Sequence, residues 1–573
     1  KMSHGMSKSG KQRSPRAEWF IALAFTLNFI IGVGILALPA VFAKAGIIMT
    51  AGFIICMSIV AGISAMFIVE TMGRVDEISR HADKSSPDRE TESTHIGSPR
   101  EGQEQFSIGS DSSDHAPLPV SAVPADVLGD EEEKPTATHM YGSTMDGPAD
   151  DIESATSAEF CSIAKPREVT ELAEFLWGAK GKLIFQIVLT IYMAGVMTGY
   201  VAVIVETLVR ILPLPGLTSY DECDLEFSWN GDCEKAYMIY ISIFTIIALP
   251  LCVKQLKEQI PLQVVLTTFR FLCITLMIGT VCYAMMHAPF DPLHSTDHPP
   301  YVFTPVKLAD KSMFGQMASS TIFASMAHHS IPGLTSMISN KKKANSMFRA
   351  AFLTTCTFYT IFGSAAAAYF GTESESIISL NWSTYHGPVI KALILVFPCV
   401  EAFSAFLLHV VTIAGNLYKT LPAKVTMRDT NPRLGYMLVA LLCAIIPIVA
   451  CAAVKDFGIV VEVTGLTGFV FLLFSPALMQ IYSRKRLQRE VLCHRTQYLE
   501  FSTEASEDEE DAVLSRSVPR AVSAKIQRPH LDTPYSTFLS RNWVAYAMLV
   551  VASGLFLISA TMVGVSLFRL ETE

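Results

Sequence analysis

Apolar residues run in long unbroken stretches along this chain, separated by polar clusters. Eleven stretches are long enough to cross about 30 Å of hydrocarbon. They fall at 19–42, 47–72, 183–212, 236–253, 262–286, 313–338, 346–370, 387–416, 434–454, 457–482 and 543–567. Two of them are interrupted in mid-stretch. The first reads Asn28-Phe-Ile-Ile-Gly32-Val-Gly34-Ile-Leu-Ala-Leu-Pro39, and the sixth reads Ser325-Met-Ala-His328-His329-Ser330-Ile-Pro332-Gly333. A helix that loses its ladder inside a bilayer leaves bare N–H and C=O groups, each costing several kcal/mol unless something binds there. Gly and Pro also occur in ordinary kinked spans, but a matched pair of broken spans in two halves of a chain points to a transporter's substrate site.

Basic residues cluster at the N-terminus (Lys8, Lys11, Arg13, Arg16) and after the sixth (Lys341, Lys342, Lys343, Arg349), eighth (Lys419, Lys424, Arg428, Arg433) and tenth spans (Arg484, Lys485, Arg486, Arg489). The bias toward Lys and Arg on the cytoplasmic side therefore places the N-terminus and every even-numbered connection inside, with the C-terminal tail outside. Five spans separate the two breaks, so the sixth span enters from the opposite side to the first. The expected fold is an all-α integral membrane protein of eleven helices. Spans 1–5 and 6–10 form an inverted repeat with helices 1 and 6 broken, and the eleventh is an appendage. In order, the chain divides into a cytoplasmic tail (1–18), spans 1 and 2 (19–72), a disordered cytoplasmic loop (73–165), an amphipathic helix with spans 3–10 (166–482), a partly disordered loop (483–542), and the last span with its outside tail (543–573).

Composition agrees. Half of the 573 residues are apolar and 17% are charged, with a net charge of −9, the balance of a many-span membrane protein. The first apolar stretch is too long for a cleavable signal peptide and runs straight into the break. Residues from about Val75 to Cys161 and from about Phe501 to Pro534 are rich in Ser, Pro and acidic groups, including Asp130-Glu-Glu-Glu133. Such segments bury too little apolar surface to offset backbone entropy. They read as solvated linkers, the longer one (75–161) also as a site for a regulatory partner. Glu168-Val-Thr-Glu-Leu-Ala-Glu-Phe-Leu-Trp177 has the spacing of an amphipathic helix lying on the inner surface. Asn381-Trp-Ser383 is a glycosylation sequon in a connection placed outside. Cys223 and Cys233 share another outside connection and are expected to form a disulfide there. No Cys/His spacing resembles a metal site, and neither a cofactor nor a nucleic acid partner is expected.

Charged residues inside spans are costly and default to functional candidates. Glu401, Ser404 and His409 share a broad face of the eighth span, where a carboxylate and an imidazole could carry a coupling proton. The alternative is an interior hydrogen-bonded pair that never exchanges protons. Arg270, in the fifth span, either snorkels to the interface or pairs with an acid. Glu206 and Arg210 have the spacing of an intrahelical ion pair.

The first-span sequence, followed by Ala43-Lys-Ala-Gly46, resembles the signature of the amino acid/auxin permease family within the amino acid–polyamine–organocation superfamily. Ala327-His-His-Ser-Ile-Pro332 resembles that family's sixth span, and Val463-Thr-Gly-Leu-Thr-Gly468 with Phe474-Ser-Pro476 its tenth. His329-Ser-Ile-Pro-Gly-Leu-Thr-Ser followed by Asn340-Lys-Lys-Lys343 is closest to the orphan transmembrane protein 104-like branch. The resemblance implies secondary active transport, in symport with an ion, of amino acids or similar zwitterions, without enzymatic activity. It implies a substrate carboxylate at the backbone amides of Gly32, Val33 and Gly34, and a substrate ammonium at the carbonyls of Ser325, Met326 and Ala327, with His328 and His329 beside them. Sodium, in the relatives that use it, sits between the first break and a hydroxyl of the eighth span, here Ser404. Hydroxyls are thin on that span, so protons are favoured over sodium. A nutrient sensor without net flux, and more remotely a membrane-embedded acyltransferase, are the rival readings. Plasma membrane and endolysosomal membrane stay equally open.

Overall fold

The structure is a computed structural model that describes residues 15–84, 163, 167–212, 214–215, 231–253, 260–287, 307–507 and 533–572. These residues are all-helical: α1 (Pro15–Ile30), α2 (Gly34–Ala45), α3 (Ile47–Lys84), α4 (Val169–Ile211), α5 (Gly231–Cys252), α6 (Ile260–His287), α7 (Phe314–Ala324), α8 (Ile331–Ser336), α9 (Ala344–Phe370), α10 (Pro388–Thr420), α11 (Pro432–Ala453), α12 (Phe457–Phe469), α13 (Ser475–Glu507) and α14 (Asn542–Thr572). A π-helical turn, Val470–Phe474, joins α12 to α13. Among the described residues nine helices are long and apolar enough to cross a membrane, counting α12 and α13 as one. A tenth follows if α1 and α2, bent by 56° at residues 31–33, are one span. The stretch expected as the sixth span is divided into α7 and α8, of 11 and 6 residues. The protein is a multi-pass membrane protein.

Where α2 ends, Gly46 turns the chain with φ 101°, a conformation that favours glycine. A Cβ there would also stand 2.6 Å from the backbone of Leu308 and Ala309. Residues 307–310 lie across this turn, with the Asp310 amide donating to the Ala45 carbonyl (2.8 Å) and the Ile47 amide to the Lys307 carbonyl (3.3 Å). The segment leading into α7 is thus tied to the outgoing end of α2, and α7 itself packs along α2.

Two expectations need correcting at the ends of helices. Disorder was expected from about Val75, yet α3 continues to Lys84 and its polar turns are buried. The Arg74 guanidinium pairs with Glu70 at 2.5 Å, both side chains fully enclosed, and donates to Gln480 (2.7 Å) and Ser483 (3.2 Å) on α13. Arg167 reaches Asp76 at 3.3 Å. Charges that satisfy one another can be packed where isolated ones cannot. Likewise α13 runs on to Glu507, and residues 533–540, at the boundary expected to be disordered, are ordered: Gln480 donates to the Ser540 carbonyl (2.8 Å) and Asn345 to the Tyr535 carbonyl (2.7 Å). Residues 85–162 and 508–532, the bulk of both expected linkers, lie outside the described residues. The amphipathic stretch is a helix of its own. Glu168 and Glu171 form a capping box, and Gly178 (φ 73°) separates Val169–Trp177 from the rest of α4.

Candidate functional site

Both broken segments deliver their free ends to the same place. At the first break the Gly32 amide bonds the Ile30 carbonyl (3.0 Å) instead of Asn28, four residues back. The carbonyl of Asn28 is thereby freed and accepts from Arg270 on α6 at 2.6 Å. The amides of Val33 and Gly34 open α2, and a helix's first N–H groups have no partner within the helix. At the second break α7 stops at Ala324, and a 3-10 turn, His328–Ser330, precedes α8. The Tyr359 hydroxyl of α9 sits between the two ends, 3.0 Å from the Ile30 carbonyl and 2.7 Å from the Ala324 carbonyl. One phenol therefore stitches the last turn of α1 to the last turn of α7.

Two adjoining cavities open at this junction. One is lined by Asn28, Arg270, Glu401, Ser404 and His409, among others. The other is lined by Gly32, Val33, Gly34, Met326, His329 and the tyrosine pair Tyr192 and Tyr200 of α4. Phe29, Gly32, Tyr200 and His409 border both. Of the residues expected at the substrate, Gly32, Val33, Gly34, Met326 and His329 line the second cavity, whereas Ser325, Ala327 and His328 line neither. His328 is turned away: its Nε2 donates to the Ala61 carbonyl at 3.1 Å and its ring stacks on Phe352.

The two glycines of the first break differ. A Cβ on Gly32 would meet nothing within 4 Å, but on Gly34 it would stand 2.7 Å from the Ala324 Cα. Gly34 is there so that α2 and α7 can touch; Gly32 keeps the cavity floor open.

Glu401, Ser404 and His409 do share one face of α10 and one cavity. Glu401 forms a buried ion pair with Arg270, each side chain about 5% exposed. His409 donates through Nδ1 to the Ala405 carbonyl of its own helix (2.8 Å), and its ring meets the edge of Tyr200 at 5.3 Å. The buried side-chain oxygen of Asn28 and the Nδ1 atoms of His328 and His329 have no hydrogen-bond partner. Arg210, expected to bridge to Glu206 along the helix, instead reaches across to Glu375 at 2.7 Å, and Glu206 accepts from Ser376.

Outside the site, Cys233 is buried and is not among the free thiols; Cys223 lies outside the described residues. Asn381 clasps its own loop, its amide nitrogen donating to the Glu373 carbonyl (2.7 Å) and its oxygen accepting from the Glu375 amide (3.0 Å).

Sequence reasoning missed Tyr192, Tyr200 and Tyr359. The first two lie eight residues apart on one face of α4 with Val196 between them, a visible i, i+4, i+8 row. Tyr359 carries no such signal, since only the packing of α9 reveals which carbonyls its hydroxyl reaches.

Comparison with known proteins agrees with this geometry. Residues 159–497, more than half of the chain, match the family model described as transmembrane amino acid transporter protein. The chain is similar to the transmembrane protein 104 homolog of Dictyostelium discoideum, 23% identical over 81% of this chain and 88% of that one. It is also similar to human transmembrane protein 104, at 21% over 83% and 89% respectively. The Drosophila melanogaster homolog matches at 21% over 69% and 73%. The family match begins after the first break, and the relatives extend it across most of the chain. The chain belongs to the transmembrane amino acid transporter family.

Proposed function

We propose that this protein is a secondary active transporter of amino acids or related small zwitterions, coupled to protons, built as an eleven-span, five-plus-five inverted repeat. The observation that carries the reading is the meeting of two broken helices at one cavity. Amides of Val33 and Gly34 open a helix N-terminus, whose partial positive charge suits a carboxylate. The carbonyl of Met326 beyond α7, at the same cavity, suits an ammonium. A zwitterion satisfies both ends at once.

The packing supports the repeat. Four of the first five spans lie against their counterparts five spans on: α2 against α7, α3 against α9, α4 against α10, and α5 against α11. Contacts between non-counterparts are mirrored as well, α4 with α12 by α10 with α6, and α3 with α13 by α9 with α6. That pattern is what a two-fold axis in the membrane plane produces.

Arg270 favours protons over sodium. Its guanidinium occupies the space between the Asn28 carbonyl and α10 where the resemblance would place sodium. Arginine keeps its charge at any physiological pH, so a second cation there would be repelled. Glu401 is then a fixed counter-ion, and of the three candidate residues His409, with Ser404 nearby, is left to exchange a proton. Bridging of Cys223 to Cys233 and glycosylation of Asn381 belong to the same topology, which places both outside.

Binding is tested by thermal unfolding of the purified protein against a panel of free amino acids. At least one should raise the midpoint in wild type and not in Gly32→Val. No stabilisation by any amino acid would move the site elsewhere, and stabilisation without flux in vesicles would return the sensor reading.

A further inference from the structure

Glu462 lies on α12 and is 6% exposed. Two other deep carboxylates face arginines, Glu70 paired with Arg74 and Glu401 with Arg270. Glu462 instead accepts from the side-chain amide of Gln316 on α7. The charged groups that reach it electrostatically are Asp456, which caps α12, and Lys44 near the end of α2. The contact clasps a tight seam. A Cβ on Gly465 would stand 2.1 Å from the Ser319 carbonyl oxygen, and one on Gly468 would stand 2.9 Å from Ile322, so α12 and α7 meet backbone to backbone.

The amide itself is incompletely satisfied. Gln316 Oε1 is buried and has no hydrogen-bond partner. A carboxylate has no donor to offer it, whereas a neutral carboxylic acid has one O–H donor and one acceptor, the complement of an amide. With Oε1 turned toward Glu462, two acceptors would face each other unless the acid holds a proton.

We propose that Glu462 and Gln316 form an acid–amide pair in which Glu462 carries a proton while α7 is closed on α12, making it an outer proton-binding site of the transport cycle. This rests on the proton-coupled transport reading above. When α7 parts from α12, water reaches the acid; its O–H bond breaks, the proton passes to that water, and the carboxylate is left hydrated. Closure requires the reverse, because an ionised carboxylate would be buried against a neutral amide whose oxygen it cannot satisfy. Acidity on the outer side therefore promotes closure, and uptake rises as the outer pH falls.

Infrared spectroscopy of the reconstituted full chain tests the pair directly. Wild type should show a carboxylic-acid carbonyl band that is lost in Glu462→Gln and shifted in Gln316→Leu, which keeps the acid and removes its partner. The pH profile of uptake should flatten in Glu462→Gln. An unchanged band in Glu462→Gln, or a Gln316→Leu spectrum matching wild type, overturns the proposal. If the band behaves as stated but no amino acid is transported by wild type, the pair stands and the transport reading falls.

Discussion

At the first break the chain turns through three residues, 31–33, with a glycine at the centre; at the second it takes six, 325–330, none of them glycine. The first is held open from outside itself. Arg270 of α6 takes the Asn28 carbonyl and Tyr359 of α9 takes that of Ile30. The second is held partly by its own histidine, His328, anchored to the Ala61 carbonyl of α3. Tyr359 is shared. A helix can thus be broken in a membrane either by a residue that permits the break or by neighbours that satisfy what it exposes. The first break uses both means, the second mainly the neighbours.

The largest effect is expected at Arg270. Replacing it by Gln strands the Glu401 carboxylate in the interior and orphans the Asn28 carbonyl, a loss of about 3–5 kcal/mol. The unfolding midpoint should drop steeply, and Arg270→Gln combined with Glu401→Gln should recover part of the loss. A single variant as stable as wild type would mean that the first break needs no external support.

Tyr359→Phe removes one hydroxyl from two buried carbonyls and should cost about 1–3 kcal/mol. Because the phenol serves both breaks, hydrogen exchange should speed up at residues 31–34 and 325–327 together. Acceleration at only one break would show that they are not coupled through α9.

The two glycines sharpen the comparison within the first break. Gly34→Ala forces a methyl onto the Ala324 backbone and should cost about 1–3 kcal/mol of stability. Gly32→Ala meets open space and should leave the unfolding midpoint near wild type while weakening ligand stabilisation. Equal behaviour of the pair would contradict the division of roles.

The smallest effect belongs to His328→Gln, about 1 kcal/mol or less, since it loses one neutral hydrogen bond to a carbonyl of an intact helix. Replacing His329, which lines the cavity, should alter ligand binding more than stability. The reverse ranking would exchange the two histidines.

The sequence made the first break legible because glycine and proline act locally, and Gly32-Val-Gly34 announces where the ladder fails. It also put Glu401, Ser404 and His409 on one face, since 3.6-residue periodicity is a local property. What it left open depended on contacts between helices. That Arg270 pairs with Glu401 follows from how α6 lies against α10, and that Tyr359 spans two breaks follows from the position of α9. The last turns of α3 depart from expectation for the same reason: Arg74 and Asp76, placed in a solvated loop, are held by Glu70, Gln480, Ser483 and Arg167. Glu206 and Arg210 had the right spacing for each other, but Glu375 offered the arginine a better-placed partner.

The most direct test is uptake of labelled amino acids into vesicles containing the purified full chain, with proton and sodium gradients imposed separately. An inward proton gradient should drive accumulation of at least one amino acid, and a sodium gradient alone should drive none, because on the proposed reading the Arg270 guanidinium, bonded to the Asn28 carbonyl and paired with Glu401, would repel a second cation there. Accumulation driven by sodium and indifferent to pH would contradict the account.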